Sequence, residues 1–218
     1  MKAPLIACAV FSAASTAWGV SMTFENTTPI SIPSSGTEGI ANPYPTSIDV
    51  SGLSNVTDVN VSILGLSHTW PDDIHVVLEG PTGASLYLMS DVGGGDDVSG
   101  IDVTFDDEAA GAIPDPGPLS TGSYQVSQSG LAETFPAPAP SPGFGGDLSL
   151  FDGLDPNGTW KLWVLDDAGA DSGAAIDGWS ITFEADSTSV PAGGSSLILL
   201  GTGLLGLFAG GKKLRIGR

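Results

Sequence analysis

The sequence predicts an all-β protein, an antiparallel β-sandwich of jelly-roll type, on three observations. Short apolar runs alternate with a period of two, as Val59, Val61 and Ile63 do with Asn60, Ser62 and Leu64. Turn signals separate the runs: Gly80-Pro81-Thr82-Gly83, Gly93-Gly94-Gly95 and Asp155-Pro156-Asn157-Gly158. Between the two ends no segment has helical spacing.

Residues 1–19, MKAPLIACAVFSAASTAWG, set Lys2 before a short apolar run and then small residues suited to cleavage after Ala17 or Gly19. That is the pattern of a secretory signal peptide. It contains Cys8, the only cysteine, so the exported chain is expected to have no thiol for a disulfide, a nucleophile or a zinc ligand.

The domain is expected over residues 20–188. A strand is expected at Ser47–Val50, then at the Val59 run, and then where Ile74, Val76 and Leu78 alternate with His75, Val77 and Glu79. Ser85–Ser90 follows, then Ile101, Val103 and Phe105. The last two runs are Trp160, Leu162 and Val164 against Lys161 and Trp163, and Trp179, Ile181 and Phe183 against Ser180 and Thr182. In each, one face packs on a core and the other meets water, which puts His75 in solvent. Residues 109–146, rich in proline and glycine, read as a long surface excursion with one short strand near Tyr124.

Residues 189–218 carry an apolar stretch from about Leu197 to Ala209 and then Lys212, Lys213, Arg215 and Arg218. With flanking small residues the stretch approaches the roughly 17–20 residues of a spanning helix. The basic cluster would stay cytoplasmic, leaving the domain outside and tethered to the membrane.

Charge narrows the function classes. All 25 acids lie between Glu25 and Asp186, and of the six basic residues only Lys161 falls there, a formal charge of −24 over residues 20–189. Such a surface repels nucleic acid and attracts divalent cations.

Two resemblances follow from named residues. The segment Ser67-His68-Thr69-x-Pro71-Asp72-Asp73-Ile74 is joined in order by Gly80-Pro81-x-Gly83, Leu88–Asp91, Thr104-Phe105-Asp106-Asp107, Gly158-Thr159-Trp160-x-Leu162 and Asp166–Trp179 with Asp171-x-Gly173. Together they resemble the P domain (P/Homo B domain) of proprotein convertases over about residues 24–185. The resemblance implies a jelly-roll, galactose-binding-like sandwich that in the family follows and stabilises a subtilisin-like serine endopeptidase. Here there is no Gly-Thr-Ser-x-Ala nucleophile segment and no room for a protease domain. The tail resembles the PEP-CTERM sorting signals of bacteria with an exosortase, with Val190-Pro191-Ala192-Gly193-Gly194 in place of Pro-Glu-Pro.

Among candidate chemistries, Ser67 and His68 are chain neighbours and point to opposite faces of an extended segment, so they do not make a serine–histidine couple. His68 is expected to hydrogen-bond structurally. Two histidines seven apart, with no cysteine, do not supply a closed zinc site. Calcium is the expected cofactor, because hard oxygen ligands cluster in loops: Asp72 and Asp73, Asp91 with Asp96 and Asp97, Asp106 and Asp107, and foremost Asp166, Asp167 and Asp171. Against it stands an acidic, solvated rim whose aspartates cap turns. Trp160 and Trp179 alternate with core residues and should pack, while Trp70 and Trp163 are the aromatics placed to contact a ligand.

The expected function is an exported, non-catalytic P-domain-like module for binding or stabilisation at the bacterial cell surface or in a secreted matrix. Its expected partner is a surface or matrix protein or a polysaccharide. The alternative is an accessory to a separate subtilisin-like protease.

Overall fold

The computed structural model describes residues 19–143 and 145–186. The chain divides into two compact units after Thr188, and the described residues all belong to the first. The expected signal peptide up to residue 18, the Val190–Gly194 motif and the apolar tail lie outside them. No helix among the described residues is long and apolar enough to cross a membrane.

The unit is all-β and sandwich-like. Its strands are β1 (Gly19–Asn26), β2 (Ile30–Ile32), β3 (Gly39–Ile40), β4 (Thr46–Val50), β5 (Val56–His68), β6 (Ile74–Glu79), β7 (Ser85–Ser90), β8 (Val98–Phe105), β9 (Gly122–Tyr124), β10 (Ser127–Gln128), β11 (Gly158–Asp166), β12 (Gly173–Ala175) and β13 (Trp179–Asp186). Single 3₁₀ turns occur at Pro71–Asp73 and Leu148–Phe151. The first sheet runs β1-β13-β5-β12-β2, with β8 on the other edge of β5 and β9 beyond it. The second runs β10-β7-β6-β11-β3, with β4 also on β11.

β5 is long because it serves two partners on one edge: β13 along Val56–Ile63 and β12 along Leu66–His68. The handover is a bulge at Gly65, with φ +63°. A Cβ there would lie 2.7 Å from both the Asp177 carboxylate and Ile176, so only glycine lets the β12–β13 turn close over it.

The period-two runs fill the space between the sheets. Val59, Val61, Ile63, Val103, Ile181 and Phe183 of the first sheet meet Ile48, Val76, Leu78, Leu88, Leu162 and Val164 of the second, all buried. Trp160 and Trp179 belong to this core. Trp160 packs against Phe151 and Phe183 at 4.9 and 5.3 Å between ring centroids and donates its indole N–H to Pro156 O.

The outer faces differ. That of the first sheet is polar, with Thr23–Thr182 and Ser62–Thr104 hydroxyl pairs at 2.8 Å. That of the second is apolar: Val77, Tyr87, Trp163 and Leu165 form their own buried cluster with Phe135 from the excursion. Tyr44 stacks edge-on to Trp163, and its hydroxyl donates to Pro136 O. The expectation of an exposed Trp163 is therefore wrong. The ring is 2 % exposed and donates its N–H to Glu79. The excursion is not merely a surface loop either. Besides covering this sheet it sends Ile113 and Leu119 into the main core and supplies β9 and β10. Both of those strands pair in parallel, which makes the sheets mixed rather than antiparallel. The long return from Phe105 to Gly122 makes a parallel neighbour of β8 feasible.

Candidate metal centre

One end of the sandwich gathers the C-terminal ends of β5, β7 and β11 and the start of β6. Antiparallel register does this. Asp166 lies opposite Ile74, Leu165 opposite His75, and Val76 opposite Met89. The Pro71–Asp73 turn leads into β6, and Asp73 O accepts the Asp167 N–H at 3.1 Å. Asp72, Asp73, Asp91, Asp166, Asp167 and Asp171 thus lie at one end of the sandwich.

The pleat then sorts them. Leu162 and Val164 face the main core, and Asp166 continues their row; Trp163 and Leu165 face outward, and Asp167 continues theirs. Two adjacent aspartates therefore serve two different clusters.

The inner cluster holds His68, Asp166 and Asp171, each offering a ligand atom within 4.8 Å of the others. His68 and Asp166 have fully buried side chains, 3.2 Å apart from Nε2 to Oδ2. His68 Nδ1 lies 3.0 Å from Trp70 O and 3.2 Å from Trp70 N, so the ring is held on both sides, as a structural role requires. Ser67 Oγ turns the other way and accepts the Gly100 N–H. Gly173 seals the edge: a Cβ there would fall 1.9 Å from Ser67 O.

The Asp73 carboxyl is pushed up to about 7, first by burial and then by the charges of Asp171 and Asp167 facing it. Asp166 is also raised by burial, with His68 opposing. Asp72 is raised by burial and then by Asp115 of the excursion. Asp72 Oδ1 and Asp171 Oδ1 are buried without a hydrogen-bond partner.

The outer cluster holds His75, Asp91, Glu133 and Asp167, again with ligand atoms within 4.8 Å of one another. His75 is completely buried, contrary to its expected exposure, because the excursion roofs the face on which it lies. Its Nδ1 is 2.8 Å from Ser90 Oγ, and its Nε2 is 3.1 Å from Asp167 Oδ1. Asp91 is raised by burial, with His75 opposing and Asp167 and Glu133 adding to the rise. Glu133 is positioned by Tyr87, whose hydroxyl donates to Glu133 O at 2.6 Å.

Ser90, His75 and Asp167 form a serine–imidazole–carboxylate chain, the arrangement of a nucleophilic triad. Ser90 and His75 are both 0 % exposed, so Oγ has no surface from which to meet a carbonyl carbon. Their contact orients the imidazole.

The remaining predicted residues lie elsewhere. Asp96 and Asp97 are exposed in the loop before β8 and join neither cluster. Asp106 accepts the Glu108 N–H, and Asp107 accepts Leu148 and Ser149 N–H groups at 3.0 and 2.9 Å, capping the Leu148–Phe151 turn. Trp70 is 48 % exposed, with its ring over Gly95 at the rim of the inner cluster.

Sequence reasoning missed His75, Ser90, Glu133 and Asp115. One signal was present: Val77 is apolar on the same face as His75, and a strand apolar on both faces is covered on both. No family model matches the sequence, and no curated protein matches it either.

Proposed function

We propose that this chain is an exported, surface-associated β-sandwich module without chemistry of its own, and that calcium bound at the inner cluster locks its loop end for binding a partner. The observation that carries the calcium reading is the convergence of Asp73, Asp166 and Asp171 with two buried carboxylate oxygens, on Asp72 and Asp171, left without donors. Carboxylates held this close repel unless a proton or a cation stands between them. Aspartate oxygens and loop carbonyls are the donors calcium takes. Zinc-type ions fit the inner cluster less well, because His68 Nε2 is already used in a hydrogen bond with Asp166.

The absence of its own chemistry rests on Ser90 and His75 being sealed from solvent and on Ser67 facing away from His68. The P-domain reading rests on the motif order, and a two-sheet, all-β unit is the coarse architecture it implies. On that resemblance a separate subtilisin-like protease is the alternative partner to a surface protein or polysaccharide. Trp70, exposed beside the cluster, is the aromatic placed to contact either. Export and tethering rest on the two chain ends as read from sequence.

Thermal melting of the full chain after chelation, with and without added calcium, tests the cofactor. Calcium should raise the melting temperature of the wild type and leave Asp171→Asn unmoved. A chelated wild type whose melting does not respond to calcium rules the calcium site out. Co-purification of a protease, in place of a surface polymer, would favour the accessory reading.

A further inference from the structure

We propose that His75, Asp91, Glu133 and Asp167 form a second, separate metal site, for a transition dication of the zinc class, and that the bound ion clips the excursion to the outer face of the second sheet. The four donors lie within 4.8 Å of one another. A tetrahedral zinc ion with bonds of roughly 2.0–2.2 Å holds its donors about 3.4 Å apart, so a contraction of the group would seat the ion.

An acidic cluster alone would not carry this. His75 does. Its side chain is fully buried, and Nε2 has no hydrogen-bond partner although Asp167 Oδ1 lies 3.1 Å away. On the far side of the ring, Nδ1 is 2.8 Å from Ser90 Oγ. In the tautomer that carries its proton on Nδ1 and donates it to Ser90 Oγ, Nε2 presents a lone pair toward Asp167, Asp91 and Glu133. A lone pair on a buried ring facing carboxylates at a partly open rim is repulsive until a positive charge stands between them. A histidine whose second nitrogen is pinned by a hydrogen bond while the first looks into a group of anions has the arrangement of a metal ligand.

Asp91 Oδ2 is buried and also lacks a donor. Imidazole nitrogen selects zinc, copper or nickel over calcium, which takes oxygen. This separates the outer cluster from the inner one. The sequence offered no closed zinc site because the donors come from four distant places: β6, the loop after β7, the excursion and the loop after β11.

Glu133 gives the site its consequence. It is the only one of the four on the excursion, and Leu131 beside it is 83 % exposed. An ion held jointly by Glu133 and His75 would fasten the roof over Trp163 and Tyr87.

Calorimetric titration of the chelated full chain with zinc chloride, and separately with calcium chloride, tests the site. Wild type should bind one zinc ion, and His75→Gln and Glu133→Gln should each weaken it by about tenfold or more. Asp73→Asn should keep the zinc affinity while losing the calcium response. Zinc should also slow chymotrypsin cleavage at Leu131 in the wild type and not in Glu133→Gln. Glu133 is only partly buried in a loop, so that variant tests the site even if His75→Gln does not fold. Equal zinc affinity in wild type and Glu133→Gln, or no zinc binding at all, overturns the proposal. Calcium binding without zinc binding overturns it too, and leaves the inner site standing.

Discussion

Asp106–Asp107 and Asp166–Asp167 look alike in sequence: two adjacent aspartates at the end of an alternating apolar strand. The structure gives them different neighbours, although Asp166, like Asp106, accepts the N–H two residues on. Asp107 spends both oxygens on backbone N–H groups of a 3₁₀ turn, and Asp106 spends one on Glu108 N–H. Asp166 is buried against an imidazole, and Asp167 faces another. Raised pKa values do not tell the regions apart. Asp58, beside Asp106 and Asp107, is raised by burial and by those neighbours, as the acids of the other end are. What differs is unspent bonding capacity. Near Asp106 the buried orphan is the amide oxygen of Asn60, whose nitrogen donates to Asp58. At the other end the orphans are Asp72, Asp91, Asp171 and His75. A count of acids does not mark a cation site; acceptors left without donors do.

The comparison breaks most visibly at the buried pair. Asp166→Ala leaves His68 enclosed with Nε2 unpartnered, and removing one member of such a pair costs on the order of 3 kcal/mol. Urea unfolding should show that loss. A cost below that of Asp107→Ala would mean that the two ends are equivalent after all.

Next in size is a pH effect confined to one end. Asp73, facing Asp171, Asp167 and Asp166, holds its proton up to about pH 7 in the folded chain. In the unfolded chain it would lose it near the ordinary carboxylate value of about 3.9. The folded state therefore binds the extra proton across this window, and stability falls as pH rises through it. Chelated protein should melt at a higher temperature at pH 5 than at pH 8. Asp73→Asn should flatten that slope, and so should calcium at pH 8. An unchanged slope in Asp73→Asn would remove this carboxyl from the account.

The sandwich was legible because its two sheets are written in period-two runs, and Trp160 and Trp179 fell into the core as the alternation required. The loop end was legible in part. Asp72, Asp73, Asp91, Asp166, Asp167 and Asp171 were singled out and do converge, while Asp96, Asp97, Asp106 and Asp107 were singled out on the same grounds and do not. Residue type says that a side chain can bind a cation, but only the strand register says which loops meet. His75 and Trp163 were misplaced for one shared reason. Period two tells which residues share a face, not whether that face is wet. The cover comes from Phe135 on Tyr87 and from Tyr44 on Trp163, and such long-range contacts, like the Tyr44–Pro136 bond across 92 residues of chain, leave no periodic trace. Glu133 was hidden by the same long-range folding.

The smaller effects define the other half of the contrast. Asp107→Ala removes the acceptor for two N–H groups at the start of the Leu148–Phe151 turn, a capping loss of about 1 kcal/mol. The melting response to calcium and to zinc should be untouched, since Asp107 belongs to neither cluster. Smallest of all is the double change Asp96→Asn, Asp97→Asn. Both side chains are exposed and outside the clusters, so stability should move by less than about 0.5 kcal/mol. Two charges fewer on a chain this acidic should still lower the long-range attraction for a dication, an effect that added salt screens away. If cation affinity in the double variant fell as far as in Asp171→Asn at high salt, attraction by total charge would replace coordination as the explanation. The distinction between capped and orphaned carboxylates would then carry no functional meaning.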